Sequence, residues 1–349
     1  MTNQRLPFAI YYEHPEWFRP LFAELERRGL PYVRLDAASH RYDPCETERG
    51  YSLLFNRMSA SAYLRGHGNA IFYTRGFLAH VERAGLRVVN GTEAFAVETS
   101  KALQLNLLAS LDLPFPRTRV INRAREAVEA ARSLRFPVVV KPNIGGRGAG
   151  IVRYDSLEAL TLAVETDRVE LGIDSIALVQ EFSPARGGHI TRVETLGGKF
   201  LYAIKVYTSG ESFNLCPAEF CQTEGDGVAE SDDEASGVEA NGVTALGEMC
   251  VADAPKSGLR VEAYEPPREI VAAVERIVAA ARIDVGGVEY LTDERDGSVL
   301  FYDINALSNF VADAPAVVGF DPHARLVDYL EKEARSCVTA TGSRFSAAG

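Results

Sequence analysis

The chain has 349 residues, 46% hydrophobic and 24% charged, a balance that predicts a soluble globular protein of two or three domains. Its net charge of −11 is concentrated in the base-free run 224–239, and no basic stripe exists for a nucleic-acid backbone to follow, so nucleic acid is excluded as a partner. No window reaches the ~18 uninterrupted apolar residues of a membrane span, and the first apolar run stops at Glu13, too early for a secretory signal.

In chain order, residues 8–12 read as a short apolar strand, 16–28 as a helix stopped by Gly29, and 32–35 and 51–56 as strands. A helix over 71–83 and a strand over 87–90 follow. Strands alternating with helices predict a parallel α/β unit that runs to about residue 95. Residues 92–111 have helical periodicity with Lys101 in the middle, and Leu113-Pro-Phe-Pro ends that helix. A strand over 119–121, a helix over 123–134, a hairpin of 138–141 with 151–153, a helix over 157–164 and a strand over 176–182 make an α+β unit spanning 96–183.

Strands 189–195 and 200–207 come next, joined by Leu196-Gly-Gly-Lys199 as a hairpin. The stretch near 224–256 opens with the acidic run, has few large apolar residues, and reads as a mobile insertion. Pro266-Pro267 precede a helix over 268–282. Strands 287–292 and 299–305 flank the turn Glu294-Arg-Asp-Gly297, and a helix over 324–334 closes a third unit, 184–340. The five cysteines (45, 216, 221, 250 and 337) are scattered and lack paired metal-ligand spacing, as expected for reduced thiols in the cytoplasm.

Three features carry chemistry. The first is Val138-Val-Val-Lys-Pro-Asn-Ile-Gly-Gly-Arg-Gly-Ala-Gly-Ile151. An apolar strand ends in Lys141, then glycines 145, 146, 148 and 150 surround Arg147 before the chain returns as a strand. Glycines let backbone N–H groups approach phosphate oxygens, and Lys141 and Arg147 add positive charge. Because a strand follows the glycines, the motif is neither a Rossmann fingerprint nor a P-loop, both of which need a helix there. The competing reading is an ordinary flexible hairpin tip.

The second feature is Glu289 on one strand of the last hairpin, with Asp303 and Asn305 on its neighbour. Residues 303 and 305 project from the same face, and a turn at Asp296-Gly297 brings Glu289 near them. Carboxylates on an otherwise apolar strand are costly unless neutralised, and an oxygen-only set favours a hard divalent ion such as Mg²⁺. The alternative is a solvated edge face. The third is Ala177-Leu-Val-Gln-Glu-Phe182, either a plain strand end or a backbone edge offered to a purine. Arg57 and Ser59 follow strand 51–56, and Tyr11, Tyr12 and His14 close the first strand, where α/β sheets place ligands.

Taken in order, these segments resemble the ATP-grasp superfamily, and within it the RimK-type and glutathione-synthetase-like carboxylate–amine ligases. The similarity runs from Leu-Phe-Asn-Arg-Met-Ser59 and Val-Val-Asn-Gly91 through Leu-Pro-Phe-Pro-Arg-Thr118, Val-Val-Lys-Pro-Asn143 and Leu-Val-Gln-Glu-Phe182. It ends with Gly-Gly-Val-Glu-Tyr290 and Tyr-Asp-Ile-Asn305. The resemblance implies a three-domain α/β (α+β) fold in which two α+β subdomains sandwich ATP. It also implies that Lys101 and Lys141 hold the triphosphate under a lid of Gly145, Gly146, Arg147, Gly148 and Gly150. Gln180, Glu181 and Phe182 would read adenine and Asn214 would join the nucleotide contacts. Arg192 would face the acyl phosphate, and Glu289, Asp303 and Asn305 would hold Mg²⁺, with Mn²⁺ as the alternative ion.

Two departures stand out: His189 replaces a commonly acidic residue, and Leu-Cys-Pro-Ala-Glu219 follows Asn214 where a basic turn is usual. The implied activity is ATP-dependent joining of a carboxylate to an amine, the substrates being small molecules such as amino acids or peptides and the enzyme a candidate homo-oligomer. The alternatives are a small-molecule kinase and a non-catalytic nucleotide-binding protein.

Overall fold

A computed structural model describes residues 6–46, 50–146, 148–207, 243–246 and 260–345. The chain opens with β1 (Phe8–Tyr12), then α1 (Arg19–Arg27), β2 (Tyr32–Asp36), β3 (Leu53–Arg57), α2 (Gly68–Arg83) and β4 (Val88–Val89). All four strands are parallel, in the order β2-β1-β3-β4. β1 and β3 are buried along their whole lengths, which is why both read as unbroken apolar runs.

The expected helix over 92–111 is two helices, α3 (Thr92–Glu98) and α4 (Lys101–Ser110). Ser100 breaks them: its Oγ accepts from the Leu103 N–H at 3.2 Å and caps α4. Lys101 therefore begins a helix instead of sitting in the middle of one.

β5 (Thr118–Ile121), α5 (Ala127–Ala131), β6 (Val138–Pro142), β7 (Ile151–Tyr154), α6 (Leu157–Glu165) and β8 (Ala177–Glu181) form the central unit. Then come β9 (His189–Leu196), β10 (Lys199–Tyr207), β11 (Val243–Leu246), β12 (Val261–Tyr264), α7 (Arg268–Ala280), β13 (Val285–Thr292), β14 (Val299–Asn305), α8 (Ala314–Val318) and α9 (Pro322–Phe345). The central sheet has the order β11-β7-β6-β8-β5, and the C-terminal sheet β12-β10-β9-β13-β14. Most of the acidic stretch near 224–256 lies outside the described residues. Within it, 243–246 is a strand that pairs with β7 on the central sheet.

The N-terminal and C-terminal sheets share one apolar core, in which Phe8, Ile10, Leu53 and Phe55 pack with Tyr202, Ile204, Val285 and, from α9, Leu326 and Leu330. The central sheet keeps its own core around Val138, Val140, Tyr154, Leu160 and Val179. Among the described residues no helix is long and apolar enough to cross a membrane.

Candidate active site

Three adjacent strands of the C-terminal sheet put the chemistry in one row. Arg192 on β9 pairs with Glu289 on β13, and Glu289 pairs with Asp303 on β14. Asn305 stands two residues further along β14, opposite Gly287, which in turn faces Glu194. The Arg192 guanidinium bridges the row, its Nε donating to Glu194 Oε1 at 2.6 Å and its Nη1 to Glu289 Oε1 at 2.9 Å. Tyr302 donates its hydroxyl to the other Glu289 oxygen at 2.9 Å. A Cβ on Gly287 would come within 2.7 Å of both Nε and Nη2 of Arg192, so the glycine makes room for the guanidinium.

Lys101 reaches this row from the first turn of α4, with Nζ donating to Asp303 Oδ1 at 2.6 Å. Its placement comes from two polar clamps. Asn143, at the root of the glycine loop, accepts from the Ala102 N–H at 2.9 Å and from Ser100 Oγ at 3.1 Å. Gln104 donates to Ile304 O at 2.8 Å and accepts from Ile304 N–H at 3.2 Å, which ties α4 to the strand bearing Asp303. Burial disfavours charge on Asp303, but Lys101, Lys141 and Arg192 outweigh it and hold the carboxyl below its ordinary range. Lys141, at the end of β6, is itself buried and acts on Asp303 through space.

The glycine loop covers the row. Gly145, Gly146 and Gly148 line one cleft with Lys101, Arg192, Glu289, Asp303 and Asn305. Ser59, Ser61 and Trp17 line the same cleft from the N-terminal domain. The loop approaches Ser61 so closely that a Cβ on Gly146 would sit 2.8 Å from the serine Cβ. Arg147 and Asn214 lie outside the described residues.

Gln180, Glu181 and Phe182 fall at the end of β8 and do not line this cleft. Their polar groups are engaged locally: Gln180 Nε2 donates to Thr118 Oγ1 at 2.8 Å, Glu181 N–H to Arg117 O and Phe182 N–H to Pro137 O, both at 2.9 Å.

Glu98, Gln104 and Asn143 also belong to the site, beyond the candidates the sequence offers. Glu98 lines the cleft and accepts from the Ala306 N–H at 2.5 Å. Burial, with Asp303 adding to it, pushes its carboxyl up to about 7. Glu98 ends a short helix in an amphipathic stretch, and nothing local distinguishes it from a solvated helix glutamate. Asn143 stands in the motif Lys-Pro-Asn143, but its bond to Ala102, 41 residues earlier, depends on the tertiary fold.

Among the described residues no group of three or more His, Cys, Asp or Glu converges. The donor set of Glu289, Asp303 and Asn305 is two carboxylates and an amide, all oxygen, in one cleft beside Lys101. That set fits a hard divalent cation whose remaining ligands are waters and phosphate oxygens, the usual Mg²⁺ arrangement.

No family model matches the chain. It is 29% identical over 135 residues to a probable alpha-L-glutamate ligase of Teredinibacter turnerae, a match that covers 38% of this chain and 44% of that protein. The chain thus matches less than half the length of that relative. Among solved structures it superposes on ATP-grasp ligase PsnB complexed with a phosphomimetic variant of its minimal precursor, Mg and ADP. The TM-score is 0.61 at 17% identity, covering 95% of this chain and 100% of that one. It also matches a RimK domain ATP-grasp protein from Sphaerobacter thermophilus, with TM-score 0.61 at 18% identity over 93% and 98% of the two chains. The chain has the ATP-grasp fold.

Proposed function

We propose that this protein is an ATP-dependent ligase that joins a carboxylate to an amine through an acyl phosphate, releasing ADP and phosphate. The observation that carries this reading is the row Arg192–Glu289–Asp303, met by Lys101 under a glycine loop in one cleft. The likeness to glutamate ligases over part of the chain supports the reaction class, and PsnB solved with Mg and ADP supports the nucleotide and the ion.

In this scheme Glu289, Asp303 and Asn305 hold Mg²⁺, which neutralises phosphate charge when bound. Lys101 and Lys141 counter the triphosphate, and Lys101 releases Asp303 to do so. Arg192, already fixed by two carboxylates, presents a preorganised cation to the transferring phosphoryl group. Closure of the loop at Gly145, Gly146 and Gly148 excludes water from the acyl phosphate, and Arg147 is assigned to the phosphates by the resemblance alone. Gln180, Glu181 and Phe182 border the adenine end, and Asn214 is assigned to the nucleotide by the resemblance alone. The carboxylate and amine are an amino acid or peptide, and the setting is the cytoplasm.

The test is a phosphate-release screen of the full chain over amino acids and small peptides, with mass spectrometry of the condensed product. A ligase needs a carboxylate and an amine together for steady ADP formation, whereas a kinase needs one acceptor. In the active pair, Asp303→Asn should lower turnover by roughly two to three orders of magnitude. Near-normal ADP release by that variant would overturn the metal assignment.

A further inference from the structure

The N-terminal sheet has its topological switch point between β1 and β3, from which the chain leaves in opposite directions to β2 and β4. Open α/β sheets take ligands in the crevice outside the carboxyl ends of such strands. Here Tyr12 and Arg57 are the paired residues at that rim. Ser59 and Ser61 follow directly and line the same cleft as Arg192, Glu289 and Asp303, so the switch point opens onto the reacting end of the site.

Arg57 is unlike the other cations there. Its side chain is 3% exposed, packed with its guanidinium carbon 4.9 Å from the Phe18 ring and 5.0 Å from that of Phe55. Nη2 donates to Ser308 O and, at 2.9 Å, to Asn309 Oδ1. Nε and Nη1 are buried with no hydrogen-bond partner among the described residues. Glu98 and Glu194 act on it only through space, whereas Arg192 bonds two carboxylates directly. Burial lowers the Arg57 guanidinium to about 9, a sign of how incompletely its charge is matched.

Asn309 joins this cation to the cleft, since it lines the cleft while its carboxamide oxygen accepts from Arg57. A carboxylate arriving at Asn309 would replace a neutral acceptor on Nη2 with a charged one, its second oxygen accepting from Nε or Nη1, a gain because charge-assisted hydrogen bonds are roughly twice as strong. The reacting carboxylate belongs beside Asp303 and Arg192 on the C-terminal sheet. We infer that Arg57 anchors a second, non-reacting carboxylate of the substrate, so that the molecule activated here is a dicarboxylate or an amino acid with an acidic side chain. This rests on the ligase reading for which carboxylate reacts, but the binding it predicts can be measured without turnover.

The test compares succinate, glutarate and L-glutamate with butyrate as ligands of the full chain, by thermal shift and calorimetry, in wild type, Arg57→Gln and Arg57→Lys. At least one dicarboxylate should stabilise the wild type at concentrations where butyrate does not. Arg57→Gln should bind that probe at least about tenfold more weakly and Arg57→Lys should fall between, with the Mg–ATP shift equal in all three. Without ligand, Arg57→Gln should unfold at the same temperature as wild type or higher, because a poorly matched buried charge is gone.

The inference is overturned if no dicarboxylate outperforms butyrate, or if Arg57→Gln binds the probe as well as wild type. A fall of several degrees in melting temperature with the Mg–ATP shift lost would also overturn it, since Arg57 would then be structural. If Mg–ATP fails to stabilise even the wild type, the ligase reading falls while the carboxylate comparison still decides the role of Arg57.

Discussion

Single atoms decide the geometry of the reactive row. Gly287 has no side chain because the Arg192 guanidinium occupies the space a methyl would need. Gly287→Ala should therefore displace Arg192 from Glu289 and Glu194. Displacements of about 1 Å cost on the order of a hundredfold in rate, so turnover should drop by roughly that factor while Mg–ATP binding is kept. Steady-state kinetics beside a nucleotide thermal shift would check this, and full activity in the variant would remove Arg192 from the reaction.

Asn90 is a second residue with no substitute. It adopts φ +53°, a left-handed conformation that asparagine tolerates better than most residues. Its amide nitrogen donates to Val285 O at 2.7 Å and Ala306 O at 2.6 Å, while its oxygen accepts from Asp284 N–H at 2.8 Å and Val285 N–H at 3.1 Å. Asn90→Ala leaves these buried groups unpaired and should cost on the order of 3 kcal/mol in urea unfolding.

At the scale of elements, the strands of the site are fastened to what precedes them. Segment 183–185, after β8, bridges to the β13–β14 turn through Ala185 opposite Asp293 and through Glu294 N–H donating to Pro184 O at 2.9 Å. Asp293 anchors that turn. Hydrogen bonds from Arg295, including Nη2 at 2.5 Å, outweigh burial and lower its carboxyl to about 2.

A carboxyl lowered in the folded state stabilises above its ordinary value near 4 and loses that contribution as pH falls through 2. Asp293→Asn should thus be less stable at pH 7 and show a flatter loss of stability between pH 4 and 2, measured by urea unfolding across that range. An unchanged acid limb would mean that Asp293 is not what holds the turn. The division of 92–110 into two helices works in the same way, since the Ser100 cap lets α4 start at Lys101 and point its ammonium at Asp303.

For the whole molecule, the distribution of cores matters. The N-terminal and C-terminal sheets share one apolar interior, and the central sheet that carries the glycine loop has its own. The central and C-terminal sheets meet at Leu178 of β8, which is buried with Val193, Ile277 and Val288, and a nucleotide bound between the two sheets would add to that contact. Mg–ATP at about a hundred times its dissociation constant should stabilise the fold by roughly 2.7 kcal/mol, and EDTA should abolish most of that gain. A melting temperature indifferent to EDTA would show that no divalent ion takes part in nucleotide binding.

What the sequence determined by itself is local or periodic. The parallel α/β opening, the β6–β7 hairpin with glycines at its tip, and the pairing of Glu289 with Asp303 follow from alternation, turn residues and spacing, which act over a few residues. The tertiary structure decided the rest, because it depends on contacts between distant segments. It set Lys101 on Asp303, 202 residues away, used Gln104 and Asn143 as clamps, and left Glu98 in the cleft. It also buried Arg57 with donors unmet, where the sequence could mark that residue only as a ligand candidate at the carboxyl end of a strand. A cation's partners are chosen by burial, and burial is a property of the packed chain, not of any window within it.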